Sequence, residues 1–234
     1  MLRSAMLTGA IWLVCAPAAT AAPITIDGVT FPQGELSFAD AVASYDPEIS
    51  GAGHPTAAHR DASTALGLPD YAGNADCTGD PFCTFVSLGD GGAITLQFTD
   101  NFLTGSGNSD FDLWIFEVGP DVEDTFVQVS SDGVTFVNVG KVFGATSGID
   151  LDAFGFGTDA MFSYVRLIDD TNADNQTGIT VGADIDAIGA ISTVPVTTAV
   201  PEPSTLLLLA SGAAVLGARR RFGARRAAAA AQKR

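Results

Sequence analysis

The sequence predicts an all-β fold, an antiparallel jelly-roll-type β-sandwich, on three observations. Six or more short runs rich in Val, Ile, Phe and Thr recur along the chain. Gly- and Asp-rich turn segments separate them, and helical periodicity is almost absent. In order, Ile24 to Phe31 (ITIDGVTF) reads as a hairpin turning at Asp27-Gly28. Glu35 to Tyr45 is compatible with a strand or a short helix. Asp46 to Phe82, rich in Pro, Gly, Asp and Ala, reads as a long loop with one helical turn near Ala62 to Leu66. Ala93 to Thr99 alternates, with Ile94, Leu96 and Phe98 on one face. Asp112 to Val118 (DLWIFEV) is apolar on both faces, as a doubly covered central strand requires. Phe126 to Ser130 and Val134 to Val139 flank Ser131-Asp132-Gly133, a strong hairpin signal. Phe162 to Ile168 and Ile185 to Ile191 complete the set.

The two ends of the chain differ from this body. Residues 1–21 read as a secretory signal: Arg3 gives the positive start, Leu7 to Val14 the apolar stretch, and Ala19-Thr20-Ala21 the small residues before cleavage. The β-sandwich is assigned residues 22–192, followed by a linker over 193–199; the stretch from Thr193 to Thr205 holds three prolines, which favour an extended chain. Residues 200–226 hold Val200-Pro201-Glu202-Pro203-Ser204, an apolar run from Thr205 to Ala218, and the arginines 219, 220, 221, 225 and 226. An apolar run closed by arginines is a stop-transfer arrangement. At 14 residues it falls short of the roughly 20 that cross a bilayer comfortably, so it fits a transient membrane helix. An Ala-rich basic end occupies 227–234.

Those three parts, in that order, resemble the PEP-CTERM sorting signal of bacterial envelope and exopolysaccharide-associated proteins. The resemblance implies an exosortase-type membrane protease as partner, membrane contact only through the tail before processing, and delivery to the cell envelope, outer surface or extracellular matrix. Separately, ALGLPD (65–70), FVSLGDGGAITLQF (85–98), DFDLWIFEVG (110–119), VQVSSDGVTFVNVG (127–140), YVRLID (164–169) and GADIDAIGAI (182–191) resemble galactose-binding-like, discoidin-related domains of bacterial surface proteins. That likeness lies in strands and turns and implies a fold more than an activity.

Charge narrows the function further. Between residues 22 and 200 there are 26 acids but only three bases, Arg60, Lys141 and Arg166. Binding to nucleic acid, which needs cations to displace counterions, is excluded. Hard oxygen donors with almost no competing bases suit calcium, and Asp169, Asp170, Asn172, Asp174, Asp184 and Asp186 are the expected ligands. Asp-x-Asp recurs at 110/112, 150/152 and 184/186, a spacing that in a regular strand puts both carboxylates on one face. The alternative is that these residues form turns and solvated edges.

Cys77 and Cys83 flank a turn-rich segment and, in an exported chain, are expected to pair. His54 and His59 lack the further ligands of a zinc site, and no nucleophile-elbow motif is present. Tyr45, Tyr71 and Arg60 in the long loop are the candidate ligand-binding residues, with Trp114 expected to be buried. The expected role is therefore a non-catalytic surface or matrix protein associated with exopolysaccharide. The alternatives are a module with a defined sugar site and, behind it, a glycoside hydrolase using acidic residues.

Overall fold

The computed structural model of the protein describes residues 21–49, 54–73, 77, 83–118, 123–172 and 177–195; the signal segment up to residue 20 and the sorting tail lie outside them. Thirteen strands occur among the described residues: β1 (Ile24–Ile26), β2 (Val29–Phe31), β3 (Ala41–Asp46), β4 (Val86–Ser87), β5 (Ala93–Gln97), β6 (Asn101–Leu103), β7 (Leu113–Glu117), β8 (Thr125–Ser130), β9 (Val137–Val142), β10 (Thr146–Ile149), β11 (Tyr164–Asp169), β12 (Asp184–Ala190) and β13 (Thr193–Pro195). A four-stranded sheet, β10-β7-β12-β4, faces a five-stranded one, β3-β5-β11-β8-β9, and the pairings within both are antiparallel. From β4 to β12 the chain passes repeatedly between the two sheets, the arrangement expected of a sandwich.

Alternation explains the core. Ile94 and Leu96 of β5, Val127 and Val129 of β8 and Val165 and Leu167 of β11 are all fully buried. They share one apolar cluster with Leu113, Ile115, Ile185 and Ile188 of the opposite sheet. The reading of β7 as a central strand holds, because it lies between β10 and β12. Its second face is covered by the β1–β2 hairpin, where Phe31, Phe38 and Phe116 stack with ring centroids 4.7–6.2 Å apart.

Two turns repay inspection. At the tip of the first hairpin, Asp27 (φ 49°) and Gly28 (φ 80°) are both left-handed, which matches a two-residue turn between twisted strands. Between β8 and β9 the Asp132 carboxylate accepts N–H bonds from Val134 (2.8 Å) and Thr135 (2.7 Å). Within the long loop over 46–82 the helical turn expected near Ala62 forms as a 3₁₀ turn at Ala62–Ala65, and a second lies at Ala57–His59. Thr193–Pro195, assigned to the linker, pairs instead with β6 as β13.

Beside the sandwich core, Gly89 and Gly92 run against Glu48, and Gly89 also against Gly182, with no room for a Cβ. A Cβ on Gly92 would lie 1.9 Å from the Leu88 carbonyl oxygen and 2.7 Å from the Glu48 nitrogen. We expect Gly92→Ala to cost about 2 kcal/mol or more, since backbone must move. Gly28→Ala, with open space around it and only its positive φ to strain, should cost about 1 kcal/mol. Paired chemical denaturation of the two variants checks the order.

Candidate functional site

The outer face of the four-stranded sheet is only partly covered by the β1–β2 hairpin, and the uncovered margin forms a string of clefts. The first depends on a β-bulge. Ile185 pairs with Glu117 and Ala187 with Phe116, leaving Asp186 as the extra residue. A bulge re-aims the side chain it carries. Here the Asp186 carboxylate accepts the backbone N–H of Asp70 (3.3 Å) and of Tyr71 (3.4 Å), and so fixes the loop that presents Tyr71. The Tyr71 ring meets buried Phe85 edge-on at 5.8 Å. Tyr71, Pro69, Phe116, Glu117, Thr146 and Asp186 all line a cleft of about 290 Å³.

A hydrogen bond from Thr146 Oγ1 to Asp27 Oδ2 (3.2 Å) ties β10 to the hairpin tip, and both residues also line a second cleft of about 580 Å³. Its walls carry Phe111 and Trp114, perpendicular rings 5.3 Å apart. Phe111 is 48% exposed, and the Trp114 indole N–H has no hydrogen-bond partner. A third cleft of about 390 Å³ continues past the same two rings to Phe143, which is 68% exposed. Trp114, expected to be buried, is therefore half-exposed and belongs to this surface. The reason is geometric: the hairpin covers Phe116 but leaves Trp114, two residues away on the same face, at its margin.

The surface is rich in carboxyls that hold protons. Burial, with Glu123 beside it, pushes the Glu117 carboxyl well above the usual carboxylate range; one Glu117 oxygen accepts the Glu123 N–H at 3.0 Å. Burial raises Asp186 to about 7, against the pull of its two N–H donors. Asp184, on the same strand, rises to about 8 through burial, although the Ser87 hydroxyl donates to it.

The residues expected to bind calcium acquire separate partners. Asp169 is clasped between two N–H donors, Gly91 (2.9 Å) and Ala183 (2.8 Å). Asp170 accepts from Lys141 Nζ at 2.6 Å and from the N–H and side-chain amide of Asn172, and Lys141 also pairs with Asp124. Asp184 turns to Ser87 and Asp186 to Asp70 and Tyr71, so the bulge breaks the shared face that Asp-x-Asp spacing predicts. Asp174 lies outside the described residues. Of the three expected ligand-binding residues, Tyr71 lines the first of the described clefts. The Tyr45 hydroxyl donates to the Ser87 carbonyl oxygen at 2.6 Å, and burial raises its pKa despite the charge of nearby Arg60. Cys77 and Cys83 form the expected disulfide, with Cα atoms 5.1 Å apart. His59 lies near both sulfurs and stacks against Phe85 at 5.4 Å, whereas His54 is exposed.

With this geometry in place, comparison with known proteins settles how the chain is delivered. Residues 199–221 match the model of the PEP-CTERM protein-sorting motif. The chain carries that sorting signal. It is thus exported, processed by an exosortase-type membrane enzyme and sorted to the cell surface or envelope. Among the described residues no helix is long and apolar enough to cross a membrane, and the apolar run of the tail lies outside them. No curated protein matches the chain. Among solved structures, the chain is similar to the C-terminal domain of a chitobiase from Bacteroides fragilis. That match has 12% identity and a TM-score of 0.38, and covers 70% of this chain and 98% of the other. A likeness that distant decides neither fold nor ligand.

The proton-holding carboxyls set a pH dependence. Between the unfolded carboxylate values near 4 and the raised folded values, the native state binds more protons than the unfolded chain, so stability falls as pH rises. Asp132 and Asp170 act in the opposite sense: the N–H groups of Thr135 and Val134 lower the first to about 2 and Lys141 with Asn172 the second to about 2, so their contributions are lost as pH drops below about 4. Denaturant titrations should find maximal stability near pH 4–5, declining through pH 8. Glu117→Gln should flatten that decline by up to about 1.4 kcal/mol per pH unit. A stability curve rising from pH 5 to 8 would refute the assignment.

Proposed function

We propose that the mature body is a non-catalytic extracellular protein that associates with exopolysaccharide through the chain of clefts on the outer sheet. The observation that carries this reading is the alternation along one surface of aromatic rings with polar groups: Tyr71, then Glu117 and Asp186, then Thr146 and Asp27, then Trp114 and Phe111. Sugar rings offer an apolar face and a rim of hydroxyls. An amphipathic aromatic side chain complements the first, and a few placed polar groups fix the second. A neutral carboxyl can donate as well as accept, which suits a hydroxyl partner. Clefts that follow one another suit an extended polymer better than an isolated small molecule.

The unusually acidic body also favours neutral or cation-bridged glycans over strongly anionic ones.

Binding of the purified full chain to a panel of bacterial and plant polysaccharides tests the proposal. Saturable binding is expected, weakened at least tenfold by Tyr71→Ala and by Trp114→Ala, with Tyr45→Phe unaffected. Failure to bind any glycan would leave a passive surface protein. Release of reducing ends from a bound glycan, abolished by Glu117→Gln, would instead make the protein a hydrolase.

A further inference from the structure

At the opposite end of β7 from Glu117, strand pairing builds a second acidic constellation. Ile149, the last residue of β10, pairs with Leu113, the first of β7. The residues just beyond each must therefore meet, and these are Asp150 with Asp152 on one side and Asp112 on the other. One carboxylate oxygen from each of the three lies within 4.8 Å of the other two. Asp112 is held on both sides by backbone: its N–H donates to the Ile149 carbonyl oxygen (2.8 Å), and its carbonyl oxygen accepts the Ile191 N–H (2.7 Å).

The Asp112 side chain has no exposed surface. Its Oδ2 accepts the Leu151 N–H at 2.8 Å, whereas its Oδ1 is buried without a hydrogen bond of good geometry, the Ser106 and Ser192 hydroxyls being the donors beside the carboxylate. Asp150 and Asp152 are half-buried and open the cluster to solvent. Each is oriented by the backbone, Asp150 Oδ1 by the Ala153 N–H (3.2 Å) and Asp152 Oδ2 by the Gly107 N–H (2.9 Å) and the Ser106 hydroxyl (3.4 Å). Gly105 lets this loop approach, since a Cβ there would lie 2.0 Å from the Phe156 carbonyl oxygen and 2.8 Å from Asp152 Oδ2. Among the described residues the ion pairs are those of Lys141 with Asp124 and Asp170, so none of the three carboxylates has a basic partner.

A buried carboxylate oxygen without a well-formed hydrogen bond is costly, and two further carboxylates beside it add repulsion. A divalent cation removes both penalties. We propose that Asp112, Asp150 and Asp152 bind one calcium ion, with Asp112 Oδ1 as the inner ligand and water completing the shell on the solvent side. Calcium accepts oxygen ligands at about 2.3–2.6 Å, so ligands facing each other across the ion stand about 5 Å apart, in keeping with the observed spread. Neither sulfur nor imidazole belongs to the cluster, which separates it from zinc chemistry. The expected cation thus finds a place away from Asp169 to Asp186, at an Asp-x-Asp pair whose partner is distant in sequence.

Calorimetric titration of the chelator-treated, purified full chain in mild detergent is the test. One equivalent of calcium should bind, and millimolar calcium should raise the melting temperature by several degrees. Asp150→Asn, at a half-exposed position where folding is not at risk, should weaken binding at least tenfold, as should Asp152→Asn. Asp184→Asn should leave it unchanged. No binding and no thermal shift in millimolar calcium would overturn the proposal, as would undiminished affinity in both Asp150→Asn and Asp152→Asn. Equal affinity for magnesium would overturn the assignment to calcium.

Discussion

A shortage of positive charge governs this body. With 26 acids and three bases between residues 22 and 200, most carboxylates cannot be neutralised by ion pairs. The fold uses backbone N–H groups instead. Asp169 shows the consequence most fully: two N–H donors grip its buried carboxylate, one from the glycine-rich turn after β4 and one from the entry to β12. Its own N–H reaches the Gly92 carbonyl oxygen, so a single residue ties three segments into one corner of the sandwich. Lys141 is shared between two acids, and the Arg166 guanidinium stacks on the Phe136 ring at 3.6 Å. Where burial outweighs these devices, as at Glu117, Asp184 and Asp186, the carboxyl holds its proton above the usual carboxylate range.

The outer face of the four-stranded sheet follows from the first hairpin. Phe31 and Phe38 lie over Gly189, where a Cβ would come within 2.5 Å of the Phe31 ring, so the hairpin docks closely at one place and leaves the margin open. The margin becomes the aromatic and carboxyl surface proposed to bind glycan. The sorting address and the clefts thus occupy different parts of the chain: the address is a linear motif after the last described strand, and the proposed binding surface is assembled from β1, β7, β10, β12 and the loop at Tyr71.

Features encoded locally were legible in the sequence. Asp27-Gly28 and Ser131-Asp132-Gly133 announced their turns, alternation identified β5, and two-sided apolarity placed β7 at the centre of its sheet. The sorting motif was legible because it is read as sequence. What escaped notice depends on distant partners. β4, β6, β10 and β13 have two to four residues each and exist because another strand holds them. The bulge at Asp186 has no local signature, yet it parts two carboxylates that regular pleating would align. The meeting of Asp112 with Asp150 and Asp152 is a matter of strand register, invisible until β10 is known to pair with β7. Trp114 misled for a related reason, since apolarity on both faces does not say how far a cover extends.

Protonated carboxyls inside an exported domain also couple its folding to the medium around it. A matrix of fixed negative charges draws in small cations by Donnan partition, and protons are among them. The local pH inside such a matrix is therefore lower than in the fluid outside. A body whose buried Asp184 and Asp186 hold protons up to about 8 and 7 is strengthened by that shift, while one stabilised chiefly by ionised pairs would be weakened.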